Sequence, residues 1–240
     1  MDMIPNELLD SYSELKQADI RDVVELSLIK VLTSAFQIPV TVVFDPEEGL
    51  SMTGLPPYGD PVRIGHDKIG RKLKRHILFT IENELQKRQT VYEAERLRQL
   101  QGKVLQGSIS LRDAEGNLLV DMELSTQFRR YILHGVCPLR YQPSHERDNY
   151  VIGKTYYWFV SSVVPIANHR QAKVRIRLSR VSKELPAVLL RMRSGIDRII
   201  CHSRIPGGPA EIITAKKIPK DIINSVGKET GDIYRVRIIQ

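Results

Sequence analysis

Residues 172–192 read AKVRIRLSRVSKELPAVLLRM, and this stretch decides the fold. Its first half alternates: Val174, Ile176 and Leu178 fall on one register class and Lys173, Arg175 and Arg177 on the other. That is the period of two of a half-buried strand. Past Ser182 the period changes. Leu185, Val188, Leu189 and Met192 take helical spacing, with Ser182 as N-cap and Glu184 in the first turn. A strand thus hands over directly to a short helix, and the chain divides around that join.

Upstream of the join, from Gly102, the strand period recurs. GKVLQGSISL, NLLVDMEL, RRYILHG and KTYYWFVSSVV precede AKVRIRLSRV, giving five strand-like stretches in about eighty residues. DAEG (113–116) reads as the turn between the first two. A long polar connection, VCPLRYQPSHERDNYVIG (136–153), separates the third from the fourth. Five short strands of this spacing predict a small β-barrel of the oligonucleotide-binding (OB) type.

Downstream, DRIICHSRI and AEIITAKK read as strands joined by PGGP (206–209). PKDIINSVGKETG reads as a helix with Pro219 at its start, and DIYRVRIIQ as a closing strand. PGGP precedes no helix, so it lacks a helix N-terminus to favour an anion. It is read as a turn rather than a phosphate cradle.

The first hundred residues are of a different kind. Residues 1–36 read as helical, with Asp19 as an N-cap ahead of Ile20, Val23, Val24, Leu28, Val31 and Leu32. PVTVVFD and LSMTGL read as two short strands, and PPYGDP as a loop. A long helix is predicted from about Asp67 to Leu100, where Ile69, Leu73, Ile77, Ile81 and Leu85 step by four along one stripe. Lys68, Arg71, Lys72, Lys74 and Arg75 crowd its first two turns. Cations there oppose the helix macrodipole, so helix stability does not account for them; they form either a solvated face or a basic patch that faces a polyanion.

Charge supports this division. The 240-residue chain carries a net +8, but residues 1–60 hold 3 Lys/Arg against 11 Asp/Glu, and residues 61–240 hold 33 against 17. The acidic head and the basic remainder suit different partners. No apolar run reaches the ~18 residues of a membrane span. The acidic N-terminus MDMIPNELLDSYSEL has no signal-peptide pattern, so a cytoplasmic protein is expected. Cys137 and Cys201 lie far apart and are expected as reduced thiols.

No enzyme constellation is found. His66, His76, His134, His145, His169 and His202 are scattered without metal-ligand spacing. Walker A, dinucleotide-binding and nucleophile-elbow motifs are missing. No catalysis, metal or cofactor is expected. The barrel strands instead interleave aromatic and basic residues, which stack on unpaired bases and follow a phosphate backbone. Arg129, Arg130 and Tyr131 on the third strand, Tyr157 on the fourth and Arg175 and Arg177 on the fifth are the candidates. Alternation sends two of the aromatics in Tyr156–Phe159 into the barrel core.

The order of these parts resembles the NusA family of bacterial transcription factors. VIGKTYYWFVSSV (151–163) followed by AKVRIRLSRVSKELPAVLLRM is similar to that family's barrel of the ribosomal-protein S-one type and its Leu-rich join to a KH domain. IICHSRIPGGPAEIIT (199–214) is similar to the two strands of the first KH domain around a Pro-Gly turn. VRIGHDKIGRKLKRHILFTIENEL (62–85) looks like the long helix behind the family's polymerase-binding head. The departures are a smaller head, one helix where a KH domain has two around a GxxG loop, and no second KH domain.

The resemblance implies an α+β multidomain chain. Residues 1–101 would form an α/β domain that binds RNA polymerase, 102–181 an RNA-binding OB-type barrel, and 182–240 a truncated KH-like module. It implies docking at the flap of the polymerase β subunit near the RNA exit channel, contact with nascent RNA, and cooperation with other elongation or antitermination factors. It places Arg63, Lys68, Arg71 and Lys72 toward emerging RNA. The alternative is an RNA-binding protein that acts on ribosomes or messenger RNA without polymerase.

Overall fold

The structure, a computed structural model, describes residues 3–45, 49–125, 130–168 and 172–239. It is α+β with several sheets. The chain forms two compact units: residues 1–95 with 165–174, and residues 96–164 with 175–240.

In the first unit, helices α1 (Asn6–Asp10) and α2 (Gln17–Phe36) precede a three-stranded antiparallel sheet. Its strands are β1 (Val40–Asp45), β2 (Gly49–Gly54) and β3 (Val62–Arg63). A 3-10 turn at His66–Lys68 then leads to α3 (Arg71–Leu97). The stripe read from the sequence is the core. Ile77, Ile81 and Leu85 of α3 are fully buried with Val24, Leu28 and Leu32 of α2, and Ile69 and Leu73 pack at their edge. Each such side chain contributes about 2–3 kcal/mol by leaving water. The Glu25 carboxylate accepts the Phe44 N–H at 2.9 Å, tying α2 to β1.

Several boundaries differ from the sequence reading. The helical residues of this segment form two helices, α1 directly after Pro5 and α2. Asp19 lies inside the first turn of α2, and Lys16 holds the N-cap position without a side-chain bond. As a first-turn carboxylate, Asp19 still complements the helix macrodipole. The long helix begins at Arg71, not Asp67, because Ile69 is extended and Gly70 disfavours helix. Lys68 therefore belongs to the 3-10 turn. The loop PPYGDPVR ends in the short strand β3.

Strands β4 (Val104–Arg112), β5 (Leu118–Ser125), β6 (Arg130–Cys137), β7 (Thr155–Ala167) and β8 (Ala172–Ser179) pair in the order β4-β5-β6-β8-β7, and all but residues 165–167 of β7 and 172–174 of β8 belong to the second unit. The ring closes through β4 and β7. The sheet is mixed: β6 and β8 run parallel, while β4 pairs antiparallel with β5 and β7, and β5 with β6. Asp113 closes the predicted β4–β5 turn, accepting the Glu115 and Asn117 N–H groups at 2.9 and 2.8 Å. Ile109, Leu118, Val120, Met122, Trp158, Val160, Ile176 and Leu178 are buried.

The chain continues as α4 (Glu184–Ser194), β9 (Ile199–Arg204), β10 (Pro209–Thr214), α5 (Lys220–Thr230) and β11 (Ile233–Ile238). Strand β10 is central, antiparallel to β9 and parallel to β11, as the single intervening helix requires. Helix α4 starts two residues after Ser182, whose hydroxyl still accepts the Glu184 N–H at 3.2 Å. Residues 102–181 and 182–240 share a core in this unit. Val104 of β4 is buried with Leu185, Leu189 and Leu190 of α4, Ile199, Ile212 and Val226.

Candidate nucleic-acid interface

Two basic surfaces are built separately. The first lies at the start of α3. Arg63 ends β3, Lys68 sits in the 3-10 turn, and Arg71 and Lys72 open α3, whose first turn has no acidic residue. All four are exposed, and none forms an ion pair among the described residues. The later cations of the same helix are matched: Lys87 pairs with Glu84 at 2.7 Å and Arg88 with Asp19 at 3.4 Å. The unpaired cations Arg63, Lys68, Arg71 and Lys72 thus cluster at the helix start. There a bound anion would gain both the cations and the macrodipole.

The second surface lies on the closed sheet. Ile176 and Leu178 of β8 point inward, which turns Arg175 and Arg177 out, as alternation predicted. Arg175 is exposed and unpaired among the described residues. The Arg177 guanidinium lies 5.9 Å from the centre of the Tyr141 ring, and that of Arg140 lies 5.0 Å from the same ring. Parallel pairing of Val136 with Arg177 places the end of β6, and the 3-10 turn Leu139–Tyr141 that follows it, beside β8. Arg140 and Tyr141 were read as part of a polar connection. Their signal was an Arg-Tyr pair three residues past a strand end, and it needed the β6–β8 pairing to acquire meaning.

The other candidates fall elsewhere. Arg129 lies outside the described residues. Arg130 and Tyr131 lie in β6, where the structure describes their backbone alone. The Tyr157 ring packs against the core shared with α4, β9 and α5, and Arg193 covers it at 5.3 Å. That packing occupies the face a base would need. Of the four aromatics at 156–159, Trp158 is the one fully buried, and its indole N–H donates to the Gly107 carbonyl at 2.9 Å. Tyr156 meets Trp158 and Tyr150 edge to face at 5.9 and 5.4 Å. Asp121, on the outer face of β5, is engaged by His134 Nδ1 at 2.8 Å and the Ser110 hydroxyl at 3.1 Å.

An ionic junction that the sequence did not disclose organises this unit. Arg180, which follows β8, is 1% exposed and uses all five N–H donors. It donates twice to the Glu146 carboxylate, at 2.8 and 2.6 Å, and to the Glu229 carboxylate at 2.9 Å. The carbonyls of Tyr157 and Glu229 take the rest at 2.8 and 2.7 Å. Burial alone would lower its pKa, but the hydrogen bonds and charge of Glu146 outweigh that and hold the guanidinium above its usual value. Burial, reinforced by the Glu146 charge, raises the Tyr150 phenol, which donates to Glu146 at 2.6 Å.

Beside it Arg204, whose side chain is 1% exposed, donates to Asp232 at 2.7 Å and to the carbonyls of Arg180 and Ser182 at 2.8 and 2.6 Å. Here the PGGP stretch finds its role. The Gly208 N–H closes the turn on the Ile205 carbonyl at 2.8 Å, and the Gly207 N–H is committed to Asp232 at 2.8 Å. It is a strand-to-strand turn, as read. Gly207 and Gly231 both have positive φ, and a Cβ on either would run into the His145 ring. The two glycines form the notch in which His145, from the long connection after β6, is seated.

Cys137 and Cys201 are buried free thiols. No three His, Cys, Asp or Glu side chains converge as a metal site among the described residues, and no helix there is long and apolar enough to cross a membrane. No protein-family model matches the chain, and no curated protein matches it.

Proposed function

We propose that this chain is a NusA-like transcription factor. Its first hundred residues bind RNA polymerase near the RNA exit channel, at the flap of the β subunit. Its basic surfaces hold nascent RNA and so shift the balance of pausing, termination and read-through. The work is positioning: phosphates are held by Arg63, Lys68, Arg71 and Lys72 and by Arg175, Arg177 and Arg140, and no bond in the RNA is made or broken. The observation that carries this reading is the set of counter-ion-free cations at the start of α3.

Two further features support it. The closed five-stranded sheet, with its order β4-β5-β6-β8-β7, fits an OB-type barrel. The helix-strand-strand-helix-strand tail fits a shortened KH-like module. With only one helix between β10 and β11, that module has no place for a GxxG clamp, so RNA contact is assigned to the barrel and α3.

The test is charge reversal. R175E/R177E lowers affinity for single-stranded RNA and flattens the salt dependence by about 0.7 for each phosphate that is no longer neutralised. Unchanged affinity and slope remove the barrel arginines from the reading. RNA binding that survives this test, combined with no affinity for polymerase, moves the reading to a polymerase-independent RNA-binding protein.

A further inference from the structure

We infer that Phe79 is a base-stacking residue, and that the start of α3 binds an unpaired stretch of RNA through Phe79 together with Lys72, Arg75 and His76. The inference rests on the proposed reading of this helix as RNA-facing and names the form of RNA it takes.

These four residues stand at i, i+3, i+4 and i+7, so they lie on one face of α3 within two turns. The opposite face carries Ile77, Ile81 and Leu85, which are fully buried. Phe79 is therefore directed away from the core, and it is 61% exposed. Single exposed apolar side chains are ordinary. What distinguishes Phe79 is its setting. Lys72, Arg75 and His76 are exposed and form no ion pair among the described residues. The first acidic residue of the helix, Glu82, comes only after the phenylalanine.

A phenyl face bordered by unmatched cations meets both needs of single-stranded nucleic acid: a surface for a base and charge for the adjoining phosphates. A paired helix hides its base faces and would use the cations alone. A lipid surface calls for an apolar face broader than one ring. An acidic protein would match the cations and leave the ring without a specific partner.

The experiment uses the full chain, a short oligouridylate, a fully paired RNA duplex of the same length, and polyglutamate. F79A is expected to weaken oligouridylate binding roughly tenfold, the scale of one base–aromatic stack, with duplex affinity and the salt slope unchanged. K72A/R75A is expected to flatten the oligouridylate salt slope by about 1.4, two phosphates at about 0.7 each. In F79W, the new indole is expected to be quenched by oligouridylate and not by polyglutamate.

If K72A/R75A flattens the slope while F79A changes nothing, stacking is refuted and the basic surface stands. If neither variant has an effect, the RNA-facing reading of α3 fails with it. Equal quenching by polyglutamate assigns the face to an acidic protein and overturns the inference. So does a lowered unfolding midpoint in F79A, which would make Phe79 a packing residue.

Discussion

Replacing Arg180 by methionine is expected to cost about 3 kcal/mol. The substitution keeps the side chain's bulk and removes its five hydrogen bonds. Two carboxylates, Glu146 at 13% and Glu229 at 23% exposure, lose their cation, and the carbonyls of Tyr157 and Glu229 lose a donor. Breaking a buried ion pair from one side costs about 3–5 kcal/mol, and the residual exposure of both acids places this case at the lower end. The network joins the connection after β6, the end of β8 and α5, so the loss falls on the whole second unit. Trp158 is the natural probe, being fully buried with the Arg180 guanidinium 5.9 Å from its ring. In urea, with a slope of about 2 kcal/mol/M, the fluorescence midpoint should drop by about 1.5 M. Adding E146Q and E229Q removes the orphaned charges and should restore about 1–2 kcal/mol. A drop of less than about 0.3 M in R180M would show that the network contributes no more than an exposed pair, and would refute the reasoning.

Two further predictions concern the same unit. G207A places a Cβ in the His145 ring at a positive φ and should cost about 2–3 kcal/mol, with H145A relieving the clash and leaving about 1 kcal/mol of backbone strain; additive costs in the double variant would disprove the notch. Burial raises the thiols of Cys137 and Cys201 to about 12 and about 11 from an ordinary 9.0, so a thiol reagent at pH 8 should label neither in the native protein and both in urea. Because these acids are raised on folding, their share of stability is complete below pH 9 and is lost as pH climbs through about 11 to 12. Rapid native labelling, or a midpoint indifferent to pH across that window, would contradict the burial.

Much of the scaffold was legible because it rests on periodicity. The step of four from Ile69 to Leu85 and the step of two after Gly102 each report one buried face, and the structure buries those faces. The outward placement of Arg175 and Arg177 followed from the same alternation. Arg180 was not legible as a buried ion: it shares the parity of Ile176 and Leu178, but a charged side chain ordinarily goes to solvent. Its partners lie 34 and 49 residues away, and local pattern carries no information at that range. Tyr157 shows the complementary limit. Alternation identifies its face but not what covers it, and the cover comes from α4, β9 and α5. The glycines of PGGP announced a turn; that the turn seats His145 depends on two residues 62 apart in the chain meeting in space.

The most direct measurement is to mix the full chain with bacterial core RNA polymerase, without RNA, and pass the mixture through a sizing column at moderate salt. The NusA-like reading predicts that the two co-elute. Separate elution of a chain that still binds single-stranded RNA would contradict it.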